Sequence, residues 1–340
     1  MLANLLKKCL YESGALSVYH RLRNRDVLTV VMYHRVLSPA DPRWGSADPD
    51  YTISEDLFSA TVGFLKRHYN VVGADQVIEA RRGNSRLPSR ALLITFDDGW
   101  SDNIDYALPI LRRENVPALM FIVADAVDSH RPFFQEELVA AWRSGRLSPT
   151  DLGAIADEVG SARVQLPIDD LAKLRDLIAA LELLPSTERA SILRPYAERV
   201  NDGLRHMVAA KELVRLGEGK VVIGLHGKTH TPLTRADDLD AELGGARRIV
   251  ARHVGVESSQ LVTMSFPHGR WTPEILERAR SHGYELMFTS ASALNRLDRG
   301  CSDVLGRVGI EAGAVQDERG RFRPDWLALR LFRRPVERFG

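Results

Sequence analysis

Two short stretches of the chain hold four side chains suited to one reaction. Asp97 and Asp98 stand side by side in TFDDG, residues 95–99, and His226 and His230 stand four apart in LHGKTH, residues 225–230. A third stretch, SFPHG at 265–269, sets His268 on a Pro/Gly turn. One carboxylate with two imidazoles makes a three-donor set for a divalent ion, with a coordination position left for water. The other carboxylate is then free to take a proton from that water, whose pKa such an ion lowers to roughly 7. The ion's charge would also offset the repulsion between adjacent aspartates. Taken singly, each stretch has a plainer explanation. An Asp pair can cap a helix, two histidines at this spacing arise by chance, and Pro-His-Gly can simply end a strand.

The elements that must position these groups follow from periodicity. VLTVVMYHRV (27–36), ALLITF (91–96), PALMFIV (117–123), KVVIGL (220–225), LVTMSF (261–266) and YELMFTS (284–290) are apolar, β-rich runs that predict buried strands. Between them lie helical patterns. EDLFSATVGFLKRHY (55–69) is one, NIDYALPILRREN (103–115) with Pro109 as a kink is another, and DLDAELGGARRIVARHVG (238–255) ends on Gly255. TPEILERARSHG (272–283) has Thr272 as N-cap, Pro273 at the first helical position and Gly283 as its stop. Strand–helix alternation predicts a parallel α/β architecture, in which functional groups gather at the carboxyl ends of strands. His226 and His230 then sit on a turn rather than a helix, because Gly227 and Thr231–Pro232 interrupt any regular one.

Residues 130–219 lose the β-branched runs and read as a helical insertion, with DDLAKLRDLIAALELL (169–184) its clearest amphipathic helix. The tail 311–340 is basic and reads as peripheral. The first 26 residues form an amphipathic helical segment, packed on its own domain or lying on a membrane surface. Lys7 and Lys8 break the apolar run where a secretory signal would need it, so the expected location is cytoplasmic, with peripheral contact at the inner membrane face through residues 1–25 as an option. A net charge of +1 over 340 residues gives no support for nucleic-acid binding. Cys9 and Cys301, the only cysteines, suit neither a disulfide framework nor a thiolate metal cluster.

In this order, MYHRV, TFDDG, HGKTH and FPHG resemble the polysaccharide deacetylases, also called the NodB-homology domain or carbohydrate esterase family 4. The resemblance covers roughly 27–125 and 220–310. It implies a distorted (β/α) barrel, here with a helical insertion, and a domain spanning 27–310. It implies a divalent metal, usually zinc, and hydrolysis of N-acetyl groups on the amino sugars of a glycan. It makes Asp97 the general base and Asp98, His226 and His230 the metal ligands. Pro267 matches the proline of the third motif, with the backbone N–H of His268 helping to hold the oxyanion.

Two positions depart from the family pattern. Ser265 stands where an arginine often steadies the base, and VLGRVGI (304–310) offers Arg307 where a late histidine often serves as acid. Proton delivery to the leaving amine then falls to His268 or His34, unless both are hydrogen-bonded structural histidines. Two other functions stay open: hydrolysis of a non-sugar C–N amide, and a carbohydrate-binding protein that has lost turnover. Phosphoryl transfer is disfavoured because no glycine-rich phosphate loop accompanies the aspartates.

Overall fold

The computed structural model describes residues 2–296 and 303–339; Cys301 lies outside them. The chain divides into two units, the first made of 1–38, 50–129 and 207–340 and the second of 39–49 and 130–206.

The first unit is built on parallel strands. Val27–Tyr33 pairs with Ala91–Phe96, which pairs with Ala118–Ile122; Val221–Leu225, Thr263–Ser265 and Leu286–Phe288 follow in that order. Ala91–Phe96 and Ala118–Ile122 are buried along their whole length, which is why they read as unbroken apolar runs rather than alternating ones. Closure comes from a split strand. Val304–Leu305 pairs with Leu286–Phe288, and Val308–Gly309 pairs with Val27–Tyr33, so the two halves join the ends of the sheet into a distorted barrel. The two residues between the halves are Gly306 and Arg307. Asn295 holds this break: its side chain accepts from the Gly306 N–H and donates to the Gly306 carbonyl.

Both ends of the chain join this unit. The expected peripheral tail is corrected here: Pro324–Phe332 is a helix whose Leu327, Ala328, Leu331 and Phe332 are buried in the main core. Phe332 stacks on His20 at 4.0 Å, and Asn24 and Arg23 donate to its carbonyl. The tail's positive charge masked a four-residue apolar face at helical spacing.

His20 and His68 are buried in this contact, and burial first of all lowers both to about 4 from 6.5. A base whose pKa falls on folding makes the unfolded chain take up more protons as pH drops. The associated stability is present above pH 6.5 and disappears as pH falls toward 4. Undiminished, the two rings together would cost about 6–7 kcal/mol across that window; solvent lies close to both and screens them in part, so we expect a loss on the order of 2–3 kcal/mol. Denaturant midpoints at pH 7 and pH 4.5 measure it, and His20→Gln should flatten the profile.

The second unit is helical, with Phe134–Arg143, Pro149–Val159, Leu171–Leu183 and Ser186–Leu193 around its own core of Leu138, Leu152, Ile155, Leu174, Leu177 and Leu181. The segment 39–49 belongs to it, tied by Arg175 to Asp48 at 2.8 Å and by Arg43 to the Arg205 carbonyl at 3.0 Å. Its far boundary falls at 206, earlier than the sequence pattern suggests, because the helix Ala210–Glu218 packs in the first unit, where Leu213 and Leu216 join the main core.

Candidate active site

The strand Ala91–Phe96 delivers Asp97 and Asp98 at its carboxyl end, and both are buried. The Asp97 N–H still donates to the Tyr33 carbonyl, in ladder fashion. Asp98 does not continue the strand: its φ is 78°, a left-handed value uncommon outside glycine. Gly99 follows at φ 82°, so the chain reverses at once and the two carboxylates diverge. His230 (φ 65°) and His268 (φ 56°) share this unusual backbone state. Strained residues of this kind gather where side-chain placement matters more than local stability.

The split in the closing strand explains Asp97. Arg307 projects from the break and grips Asp97 with both arms, Nη1 to Oδ1 at 2.6 Å and Nη2 to Oδ2 at 2.7 Å. Its remaining donors go to Ser265 Oγ, Thr95 Oγ1 and the Thr289 carbonyl. Burial alone opposes ionisation of Asp97, but Arg307 and then His226 outweigh it, and the carboxyl lies below its ordinary range. Ser265 and Arg307, the two departures from the family pattern, are therefore one device. The guanidinium arrives from a different strand, and the serine hydroxyl receives it. All five N–H donors of Arg307 are thereby engaged.

Asp98 faces the other way. Trp100, itself buried, donates its indole N–H to Asp98 Oδ2 at 2.9 Å, which leaves Oδ1 toward the histidines. His226 Nε2 lies 3.4 Å and His230 Nε2 3.3 Å from that oxygen. His226 Nδ1 is 2.9 Å from the Ser265 carbonyl, so it carries the proton and Nε2 offers a lone pair. Burial opposes the charge on Asp98 too, but His230, His34 and His226 outweigh it and hold the carboxyl well below the usual range.

The donor set fits a divalent ion. Two donors on one tetrahedral zinc stand roughly 3.4 Å apart, given bonds of about 2.1 Å. The one carboxylate and two imidazole atoms here all lie within 4.8 Å of one another, the closer contacts at 3.3 and 3.4 Å.

His268 stacks on His230 at 4.8 Å between ring centroids. Burial, then His230 and His226, lower it to about 3. Burial of the ring disfavours a proton there, while the neighbouring Asp98 pulls the other way. Pro267 is buried beside the histidine turn: a Cβ on Gly227 would meet its ring and Glu242, each at 3.0 Å. His34 is half-buried, edge-on to Tyr51 at 4.9 Å, with its carbonyl held by Asn103.

Three supporting residues escaped the sequence reading. Arg35 and Asp102 form a fully buried ion pair, and Arg35 lies over the Trp100 ring at 4.3 Å. Asp102 also accepts from the Val36 N–H, so the MYHRV turn and the TFDDG turn are joined. The signal was present, an arginine and an aspartate flanking the apparent site, but charged residues in loops ordinarily mark solvent. Glu242 is the third. It sits on a π-turn, Ala241–Gly245, and its buried carboxylate accepts from the Lys228 N–H at 2.7 Å, the Thr229 N–H at 3.2 Å and the Thr229 hydroxyl at 2.6 Å. It thus clamps the turn between the two histidines. Such outer contacts typically contribute 10–100-fold to metal affinity. We expect Glu242→Ala to weaken binding of a divalent ion by about that factor, read by competition with a chromophoric chelator.

A model of the polysaccharide deacetylase family matches residues 84–158, a stretch that contains Asp97 and Asp98. The chain is 28% identical over 126 residues to the poly-β-1,6-N-acetyl-D-glucosamine N-deacetylase of Staphylococcus epidermidis, covering 36% of this chain and 41% of that one. It is 35% identical over 86 residues to the Escherichia coli (strain K12) protein of the same name, covering 23% and 13%. The chain thus spans less than half the length of these curated relatives. Among solved structures it resembles the Streptococcus pyogenes deacetylase PplD in complex with acetate, with a TM-score of 0.57, 15% identity and coverage of 90% and 99%. It resembles IcaB from Ammonifex degensii equally, at 0.57 and 18%, with coverage of 90% and 97%. At these identities the structural likeness speaks for the fold.

Proposed function

We propose that this chain, which belongs to the polysaccharide deacetylases of the NodB type, hydrolyses N-acetyl groups from the amino sugars of a glycan and depends on a divalent metal. The names of the curated relatives point to β-1,6-linked N-acetylglucosamine as the first substrate to try. The observation that carries the reading is the division of labour between adjacent aspartates, Asp97 on Arg307 and Asp98 toward His226 and His230.

Asp98, His226 and His230 would hold the ion, and the mixed oxygen and nitrogen set favours zinc. Bound there, a zinc ion would polarise the acetyl carbonyl and acidify the attacking water enough for a weak carboxylate base to serve. Asp97 accepts that proton on its carboxylate, which Arg307 keeps ionised and fixed in orientation. The His268 N–H, on the turn Pro267–Gly269, donates to the carbonyl oxygen as negative charge builds on it. His34 delivers the proton to the departing amine, since protonation of His268 is opposed by burial and by its histidine neighbours. The products are acetate and a free amine, with no covalent enzyme intermediate. With Arg307 on Asp97, the arginine absent from position 265 no longer argues for lost turnover.

The test is acetate release from β-1,6-linked N-acetylglucosamine oligomers by chelator-treated and zinc-reconstituted protein. Release that requires zinc supports the proposal. A protein that binds one zinc per chain yet releases no acetate from any N-acetylated glycan would refute it.

A further inference from the structure

The two N-terminal helices, Leu2–Glu12 and Ala15–Arg23, keep an apolar face that the fold does not cover. Their inward sides are set by contacts. Tyr11 stacks on Phe64 and Lys7 lies over Trp326, which orients the first helix; Leu16 and His20 are buried and orient the second. At 100° per residue, Leu5, Leu6 and Cys9 must then point away from the fold on the first helix, as Ala15, Val18 and Leu22 must on the second. The exposures agree: Leu5 58%, Leu6 60%, Val18 55% and Leu22 78%, with Leu10 and Tyr19 also exposed. These are half of the twelve large exposed hydrophobics among the described residues, and they fall within 18 positions.

The same segment is cationic. Residues 1–26 carry five basic and two acidic side chains, whereas the whole chain is only +1, so the remainder is net acidic. Lys8, Arg21 and Arg25 are exposed beside the apolar strip. Neither helix can cross a bilayer: at 11 and 9 residues both fall far short of the roughly 20 a span requires. No helix among the described residues is long and apolar enough to do so.

We propose that this pair of helices docks the protein on an anionic lipid surface, lying in the interface with Leu5, Leu6, Val18 and Leu22 in the acyl boundary and Lys8, Arg21 and Arg25 on the headgroups. Lipid is favoured over a second copy of the chain because self-association would set these cations against one another, while anionic headgroups neutralise them. This proposal does not depend on the reaction assigned above.

The test is co-sedimentation of the full chain with phosphatidylcholine vesicles, with and without phosphatidylglycerol. The chain is expected to pellet with the anionic vesicles and to be released as salt rises. Leu6→Asp/Leu22→Asp should weaken binding about tenfold or more. Lys8→Gln/Arg21→Gln/Arg25→Gln should weaken it roughly a hundredfold on anionic vesicles. Both variants alter exposed side chains, and unchanged denaturant midpoints verify their folds. The proposal fails if the wild type stays in the supernatant, if both variants pellet like the wild type, or if neutral vesicles bind as tightly as anionic ones. It also fails if light scattering shows a dimer that the Leu6→Asp/Leu22→Asp variant converts to a monomer, which would put a second copy on this face.

Discussion

Asp97→Asn is expected to lower acetate release by about a thousandfold while one zinc per chain is still bound, because a positioned general base contributes on the order of 10²–10⁴. The separation of these two readouts follows from geometry. Asp97 Oδ2 is 3.9 Å from His226 Nε2 and both its oxygens are occupied by Arg307, so it is not placed as a ligand. Asp98 is, and Asp98→Asn should lose zinc and activity together. An asparagine at 97 keeps the volume and still accepts one hydrogen bond from Arg307, so the substitution removes the base without emptying the site. Metal content by elemental analysis and turnover on the same preparation decide the matter. An Asp97→Asn protein that keeps a tenth of wild-type turnover would remove Asp97 from the base role, and one that loses its zinc would merge the two roles the site geometry separates.

The site is legible in sequence where the backbone is local and illegible where it is not. TFDDG shows its turn because an apolar run stops at a pair of polar residues and a glycine, all within five positions. HGKTH reads as a turn because Gly227 and Pro232 forbid a helix. Arg307 can be singled out by motif position, but not its partner, since Asp97 is 210 residues away and the contact depends on a strand that breaks at Gly306. Glu242 was illegible for a related reason: nothing in DAELGG says that a helix there widens by one residue and turns a carboxylate onto the histidine loop. The tail misled through its charge. Arg323, Arg330, Arg333 and Arg334 make it look solvated, yet Leu327 and Leu331, one helical turn apart, are buried together with Phe332. The recurrent failure is the long-range contact of a charged side chain, since pattern carries no information about which distant element will neutralise it.

That partnership yields the second large effect. Arg307→Met should destabilise the protein by roughly 3–5 kcal/mol, the usual result of leaving one member of a buried ion pair without the other. It should also abolish most turnover, since Asp97 would lose both its orientation and the charge that keeps it ionised. Asp97→Asn should cost less, because Arg307 retains Ser265, Thr95 and the Thr289 carbonyl. If the ion pair acts as one unit, the double variant Asp97→Asn/Arg307→Met will be more stable than Arg307→Met alone, since no buried carboxylate is left uncompensated, while its turnover stays as low as that of either single change. Denaturant midpoints of the four proteins read the stability cycle and acetate release reads the catalytic one. Strict additivity of the two stability changes would show that Arg307 serves the closing strand rather than Asp97. Non-additivity in stability and in rate together would show that the broken strand exists to bring a cation to the base.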